Sequence, residues 1–261
     1  VTDGSKTLAT GGVNVVSGAF TRLQLLLPGE TAAPGTPTGK TGTPTAQVAG
    51  APFTVTVNAV DAAWNPIAGI TDVVHLATTD ANATMPADVA MVNGVATFTS
   101  NVTLVTGGNR TITASNVTNN TITANTSPNV MVTAGAYAKL IVRLPGEVLA
   151  PGTATGKTAA TPTPVNAGAT VVASVFAVDA YGNIVPGNSD IIAISSTDGN
   201  ATLPANNTLA ANGTRNFNVV LRTPGAIAIT ATNTANNAIN GNSTINVNSA
   251  FTRLQLLLPG E

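Results

Sequence analysis

Apolar and polar side chains alternate with a period of two along most of this chain. Phe53, Val55, Val57 and Ala59 are separated by Thr54, Thr56 and Asn58, as expected for a strand with one face turned inward. Strand-length patches follow at 71–78, 95–104, 109–115 and 120–133, with Gly, Pro, Asn and Asp between them as turns. No stretch carries a 3.6-residue apolar stripe with caps. The pattern predicts an all-β chain. Because two half-apolar sheets cover each other's inner faces, the expected architecture is a Greek-key β-sandwich.

The pattern then repeats. The tetrapeptide "LPGE" stands at 27–30, 144–147 and 258–261, at spacings of 117 and 114 residues. "TDVVHLATTDANATMPA" at 71–87 matches "SDIIAISSTDGNATLPA" at 189–205, and "NGVATFT" at 93–99 is answered by "NGTRNFN" at 212–218. A period of this length is that of a whole β-sandwich domain rather than of a solenoid unit. The expected units are 19–135 and 136–249. Residues 1–18 then read as the terminal strand of a preceding or neighbouring unit, and 250–261 as the first strand of a following one, since "AFTRLQLLLPGE" at 250–261 repeats 19–30 letter for letter. Two arrangements are compatible with this. The chain is a window on a tandem array, the commoner design, or its end strands complete neighbouring molecules by strand exchange.

Two turn segments carry a family likeness. "FTVTVNAVDAAWNPIAG" and "SVFAVDAYGNIVPG" resemble the strand and turn of bacterial immunoglobulin-like domains, and "NGVATFT" resembles a segment preceding a later strand there. Such domains stand in tandem in invasin- and intimin-type adhesins and other large surface proteins. The resemblance therefore implies tandem immunoglobulin-like Greek-key β-sandwiches. The Pro/Gly/Thr-rich insertions at 31–50 and 148–168 depart from the compact family pattern.

Composition narrows the function. Charged residues are 8% and aromatics 3% of the 261 residues, and the formal net charge is −1. Such a surface attracts neither nucleic acid nor an anionic membrane. With no cysteine, disulfides and thiolate chemistry are excluded. No apolar run has the length of a membrane-spanning helix.

The candidate chemistry is thin. "GTPTGKT" at 35–41 and "GTATGKT" at 152–158 resemble phosphate loops, but three residues rather than four separate the first Gly from Gly-Lys, and the prolines further on oppose the helix such a loop needs. A surface loop carrying Lys40 and Lys157 is the expected reading. His75 is the only histidine, and its counterpart segment has none, so it reads as a strand residue rather than a general base. Asp61, Asp72 and Asp80 recur as Asp179, Asp190 and Asp198 beside strands. Calcium needs six or more converging oxygens, so Asx-turn capping is the preferred reading, and no metal or other cofactor is expected. Ten Asn-x-Ser/Thr sequons leave a glycan as a candidate partner. Trp64 and Tyr181 occupy matching turns and are expected to pack rather than to bind.

The expected protein is a secreted or cell-surface structural element, not an enzyme, partnered by like subunits or neighbouring repeats. The apolar strand Phe20, Leu23, Leu25, Leu27 and its copies Tyr137, Leu140, Val142, Leu144 and Phe251, Leu254, Leu256, Leu258 are the expected domain-joining residues. The rival expectation is an adhesin that binds glycan or protein through loops 61–70 and 179–188.

Overall fold

The computed structural model describes residues 16–249, and the described residues contain strands and turns but no helix. The first sandwich is built from β1 (Arg22–Leu26), β2 (Glu30–Ala32), β3 (Lys40–Gly42), β4 (Gln47–Val48), β5 (Pro52–Val60), β6 (Val73–Thr78), β7 (Val89–Ala90), β8 (Val95–Thr103), β9 (Gly108–Arg110), β10 (Ile112–Asn116), β11 (Asn125–Thr126) and β12 (Val130–Thr133). One sheet has the order β1-β5-β8, all antiparallel. The facing layer runs β4-β12-β9 at one end and β11-β10-β6-β7 at the other. β4 joins β12 in parallel, pairing Gln47 with Val132 and Val48 with Thr133. The chain therefore starts in one sheet and crosses to the other before β5 returns it, a Greek-key course.

The second sandwich repeats these pairings with β13 (Lys139–Arg143), β14 (Val165–Asn166), β15 (Thr170–Val178), β16 (Ile191–Ser196), β17 (Asn207–Thr208), β18 (Thr214–Val220), β19 (Gly225–Asn233) and β20 (Asn240–Asn248). Its sheets are β13-β15-β18 and β14-β20-β19-β16-β17, with β14 again parallel to β20. Two facing sheets with this strand assignment are an immunoglobulin-like sandwich. The described residues are all-β and form two such sandwiches in succession.

Alternation places the core as the sequence requires. Along β5, Phe53, Val55, Val57 and Ala59 are buried, while Thr54, Thr56 and Asn58 are half-buried. They meet Leu23 and Leu25 of β1, Phe98 of β8, Leu76 of β6 and Ile112 of β10 in one cluster. The second cluster repeats it with Leu140, Val142, Val175, Phe217, Ile192 and Ile229. Each such aliphatic or aromatic side chain contributes about 1.5–3 kcal/mol on leaving water.

Two expectations change. The patch expected at 120–133 is not one strand but β11 and β12, and the patch at 109–115 divides into β9 and β10. Pro128 lies between β11 and β12, where it has no N–H for a ladder. Ser127 repairs the gap: its N–H donates to Ile112 O and its Oγ accepts from Ile112 N–H. The second sandwich has Ser243 at this point, and β20 runs unbroken.

The insertions form a cover over the outer face of the β1-β5-β8 sheet. Gln24, 1% exposed, donates through Nε2 to Gly39 O of the insertion at 2.6 Å and accepts from Asn58 Nδ2. In the second sandwich an apolar contact replaces this polar one: Ile141, Phe176 and Val178 pack with Leu149.

Candidate assembly interface

The leading end of each sandwich carries an Asp-x-x-x-Asn turn that closes on its own carboxylate. In the second sandwich Asp179 Oδ1 accepts from the N–H groups of Tyr181 and Asn183, both at 2.9 Å. Its Oδ2 accepts from Asn183 Nδ2 at 2.8 Å and from the N–H of Gly135 at 2.9 Å, and Gly135 follows the last strand of the first sandwich. Asp179 is 1% exposed, so the turn and the arriving chain are tied by one buried carboxylate.

Asn183 carries the tie into the first sandwich. Its Nδ2 donates to Val105 O and its Oδ1 accepts from Gly107 N–H, both at 2.8 Å. Asparagine is the side chain for this task, since one amide both donates and accepts. Tyr181 reaches the same way and packs against the first core. Its ring lies over Gly50, where a Cβ would stand 2.3 Å from the ring, so only glycine fits beneath it. Gly107, Gly108, Val132, Ala134, Pro151, Asn183 and Ile184 line a cleft of about 280 Å³ beside the contact.

The same turn is built at the leading end of the first sandwich. Asp61 Oδ1 accepts from Ala63 and Asn65 N–H, and its Oδ2 accepts from Asn65 Nδ2 at 2.9 Å and Gly18 N–H at 2.8 Å. The Asn65 amide first, then the Gly18 N–H, hold the Asp61 carboxyl down at about 2, against 3.8 ordinarily. Gly18 thus meets Asp61 as Gly135 meets Asp179.

The other repeated aspartates are turn anchors. Asp80 accepts from Val105 N–H, Thr106 N–H, Thr106 Oγ and Asn82 N–H. Burial pushes its carboxyl up, but these donors outweigh burial and leave it below the ordinary value. Asp198 does the same with Thr223, Arg222 and Asn200, and the Thr223 hydroxyl leads in holding it well below the carboxylate range. Asp72 and Asp190 accept from Asn116 and Asn233. Their lone pairs serve the fold. Among the described residues no three acidic or histidine side chains converge.

The Gly-Lys loops are corrected in detail. Lys40 is not a surface group: its Nζ lies 2.8 Å from Glu30 Oε1, with side chains 12% and 0% exposed, and donates to Leu25 O. The Glu30 contact is an ion pair without hydrogen-bond alignment. Lys157 repeats it with Glu147 at 2.7 Å and Val142 O, and Ser243 Oγ also donates to Glu147. "LPGE" and "TGKT" recur together because their Glu and Lys pair, pinning the insertion to the first strand. An ammonium held this way has no free face for phosphate.

Among the described residues, the strands expected to join units are laid into the sheets of their own sandwiches. Leu23, Leu25 and Leu27 are 0–3% exposed inside the first core, and Leu140, Val142 and Leu144 are 0–2% exposed inside the second. Phe20 and Tyr137 pack against those same cores. Burial and a Coulombic contribution from Asp190 raise the Tyr137 phenol to about 12. Phe251, Leu254, Leu256 and Leu258 lie outside the described residues. Of the side chains that do reach across, Tyr181 was expected from the sequence to pack, whereas Asn183 carried no signal beyond its place in the turn. Trp64 stays on its own unit, stacked under Arg22 at 4.7 Å with Nε1 donating to Pro37 O. His75 is an exposed partner of Asp88 at 2.7 Å.

No family model matches the chain, and no curated protein matches it. Among solved structures it is similar to a β-glycosidase from Bacteroides vulgatus, at 12% identity over 88% of this chain and 25% of that one, with a TM-score of 0.34. It is also similar to the D0-D1 domain of intimin, at 15% identity over 77% and 93%, with a TM-score of 0.28. The Escherichia coli adhesin FdeC matches at 16% identity over 88% and 65%, with a TM-score of 0.34. The chain spans about a quarter of the length of the glycosidase. The strand pairing itself, not these likenesses, makes both sandwiches immunoglobulin-like.

Proposed function

We propose that this chain is part of a secreted or cell-surface structural protein, a repeat unit of a stalk, fibre or filament joined by end-to-end domain packing. Its work is to span distance, and it breaks no bonds. The observation that carries this reading is the paired clasp: Asp179 takes Gly135, and Asp61 takes Gly18, with the same geometry. A leading end that receives the chain of a preceding segment in the same way twice is a device for building in series. Strand pairing closes each sandwich, so neighbours need only the clasp. The neutral Thr/Asn-rich surface permits close approach of like units without charge repulsion. The rival reading, an adhesin binding through its loops, finds loop 179–188 already committed, with Tyr181 and Asn183 engaged by the first sandwich.

The test is protease shaving of intact source cells combined with negative-stain imaging of the native polypeptide. Surface release of a beaded, elongated molecule is expected. Retention inside the cell, or a compact globule, overturns the reading.

A further inference from the structure

The two sandwiches share the Asp-x-x-x-Asn turn at their leading ends, but their trailing ends are unlike. Their correspondence is fixed by the anchoring aspartates: Asp80 Oδ2 binds the N–H groups of Val105 and Thr106, and Asp198 Oδ2 binds those of Arg222 and Thr223. Val105 therefore matches Arg222, and Gly107 matches Pro224. At the contact between the two sandwiches, Gly107 N–H donates to Asn183 Oδ1. Proline has no N–H. The trailing end of the second sandwich cannot offer that bond to any asparagine.

The leading ends differ in a complementary way. Tyr181, which covers Gly50, corresponds to Ala63 in the first sandwich. Gly168 is the counterpart of Gly50 at the trailing end of the second sandwich. The stretch at 250–261 repeats 19–30, so the sequence resumes after the second sandwich with the residues that open the first.

We infer that the leading end of the first sandwich docks onto a trailing end of the second type, and that this contact is a hinge, whereas the contact inside the chain is fixed. The occupant is a like sandwich with Pro224 and Arg222 at its tip. It keeps the covalent approach to Asp61 and the carbonyl at position 222, but loses the donor at 224 and the aromatic wedge. Stiff pairs of sandwiches then alternate with flexible joints along the polymer. This rests on the in-series reading above, but its readout is an interdomain distance and is independent of where the protein resides.

The experiment extends this chain past residue 261 with its own residues 31–133, giving three sandwiches and both contacts in one molecule. With no native cysteine, spin labels go on introduced Thr97→Cys and Asn218→Cys, both at exposed strand positions, for the inner contact. For the outer contact they go on Asn218→Cys and the third sandwich's copy of Thr97→Cys. Electron–electron distance distributions are expected to be narrow across the inner contact and several-fold broader across the outer one. Pro224→Gly with Ala63→Tyr in the third sandwich is expected to narrow the outer distribution, and Tyr181→Ala with Asn183→Ala to broaden the inner one. Equal widths at the two contacts, or no response to either pair of substitutions, overturns the inference. Unchanged circular dichroism of each variant separates a loosened joint from an unfolded sandwich.

Discussion

Replacing Asp179 by alanine tests whether one buried carboxylate holds both the turn and the junction. The substitution removes the acceptor for four donors: Gly135, Tyr181 and Asn183 N–H and Asn183 Nδ2. Asn183 Nδ2 keeps Val105 O as a partner, so three backbone N–H groups bear the loss. Of these, only the Asn183 bond is fully buried, those of Gly135 and Tyr181 being part-buried. A buried donor left unpaired costs ~1–3 kcal/mol, so the expected loss is about 1–3 kcal/mol with a smaller addition from the other two. Asp179→Asn should fall between wild type and alanine, because its one oxygen serves the turn while its amide nitrogen faces the Gly135 N–H. The assay is urea unfolding followed in parallel by far-ultraviolet circular dichroism and by tryptophan fluorescence. Trp64 is the single tryptophan and lies in the first sandwich, so fluorescence reports that unit while circular dichroism reports both. The second sandwich's transition should move by the full amount at unchanged slope. The Trp64 transition should move less, through loss of the Gly135 tie and the Tyr181 wedge. A shift of the second sandwich below ~1 kcal/mol, the worth of a single ordinary hydrogen bond, would refute the reasoning.

Two further outcomes are expected. Asp61, Asp80 and Asp198 all sit below their ordinary value in the folded chain, so each contributes stability that is present above the unfolded value of 3.8 and lost as pH falls through the folded one. Thermal midpoints should be level from neutral pH to about 5 and fall between about pH 4 and 2, the window set by Asp61; a flat profile down to pH 2 would contradict the hydrogen-bond assignments. Leu25→Ala and Leu144→Ala should each destabilise their own sandwich by ~2–5 kcal/mol while leaving the interdomain distance distribution unchanged. Broadening of that distribution without loss of stability would return these residues to the joining role.

The fold was legible because sandwich formation depends on local signals. The period-two alternation at 53–59 decides which face is buried, and Gly, Pro and Asn mark where strands end. Register is then constrained too, since a slip by one residue would expose Phe53, Val55 and Val57 together. The split at Pro128 was present in the sequence as a residue without a ladder donor, but its repair by Ser127 was not. That depended on which carbonyl lay opposite.

The interface was less legible. The strand at 22–27 carries four leucines in six residues, and hydrophobicity alone does not say whether such a strand fills a core or joins a neighbour. Burial settled that it fills its own core, because the facing sheet needs those side chains. The repeated Lys and Glu were visible as spacings, yet their pairing required the insertion to fold back over the outer sheet. What the sequence by itself determined was the alternation, the turns and the duplication, since each depends on neighbours in the chain. What only the tertiary structure decided was partnership: that Asp179 meets Gly135, that Asn183 reaches Val105 and Gly107, and that Tyr181 covers Gly50. Those contacts join residues more than forty positions apart, and a hydrogen bond between them exists only once two finished sandwiches present the right carbonyl and N–H to one amide.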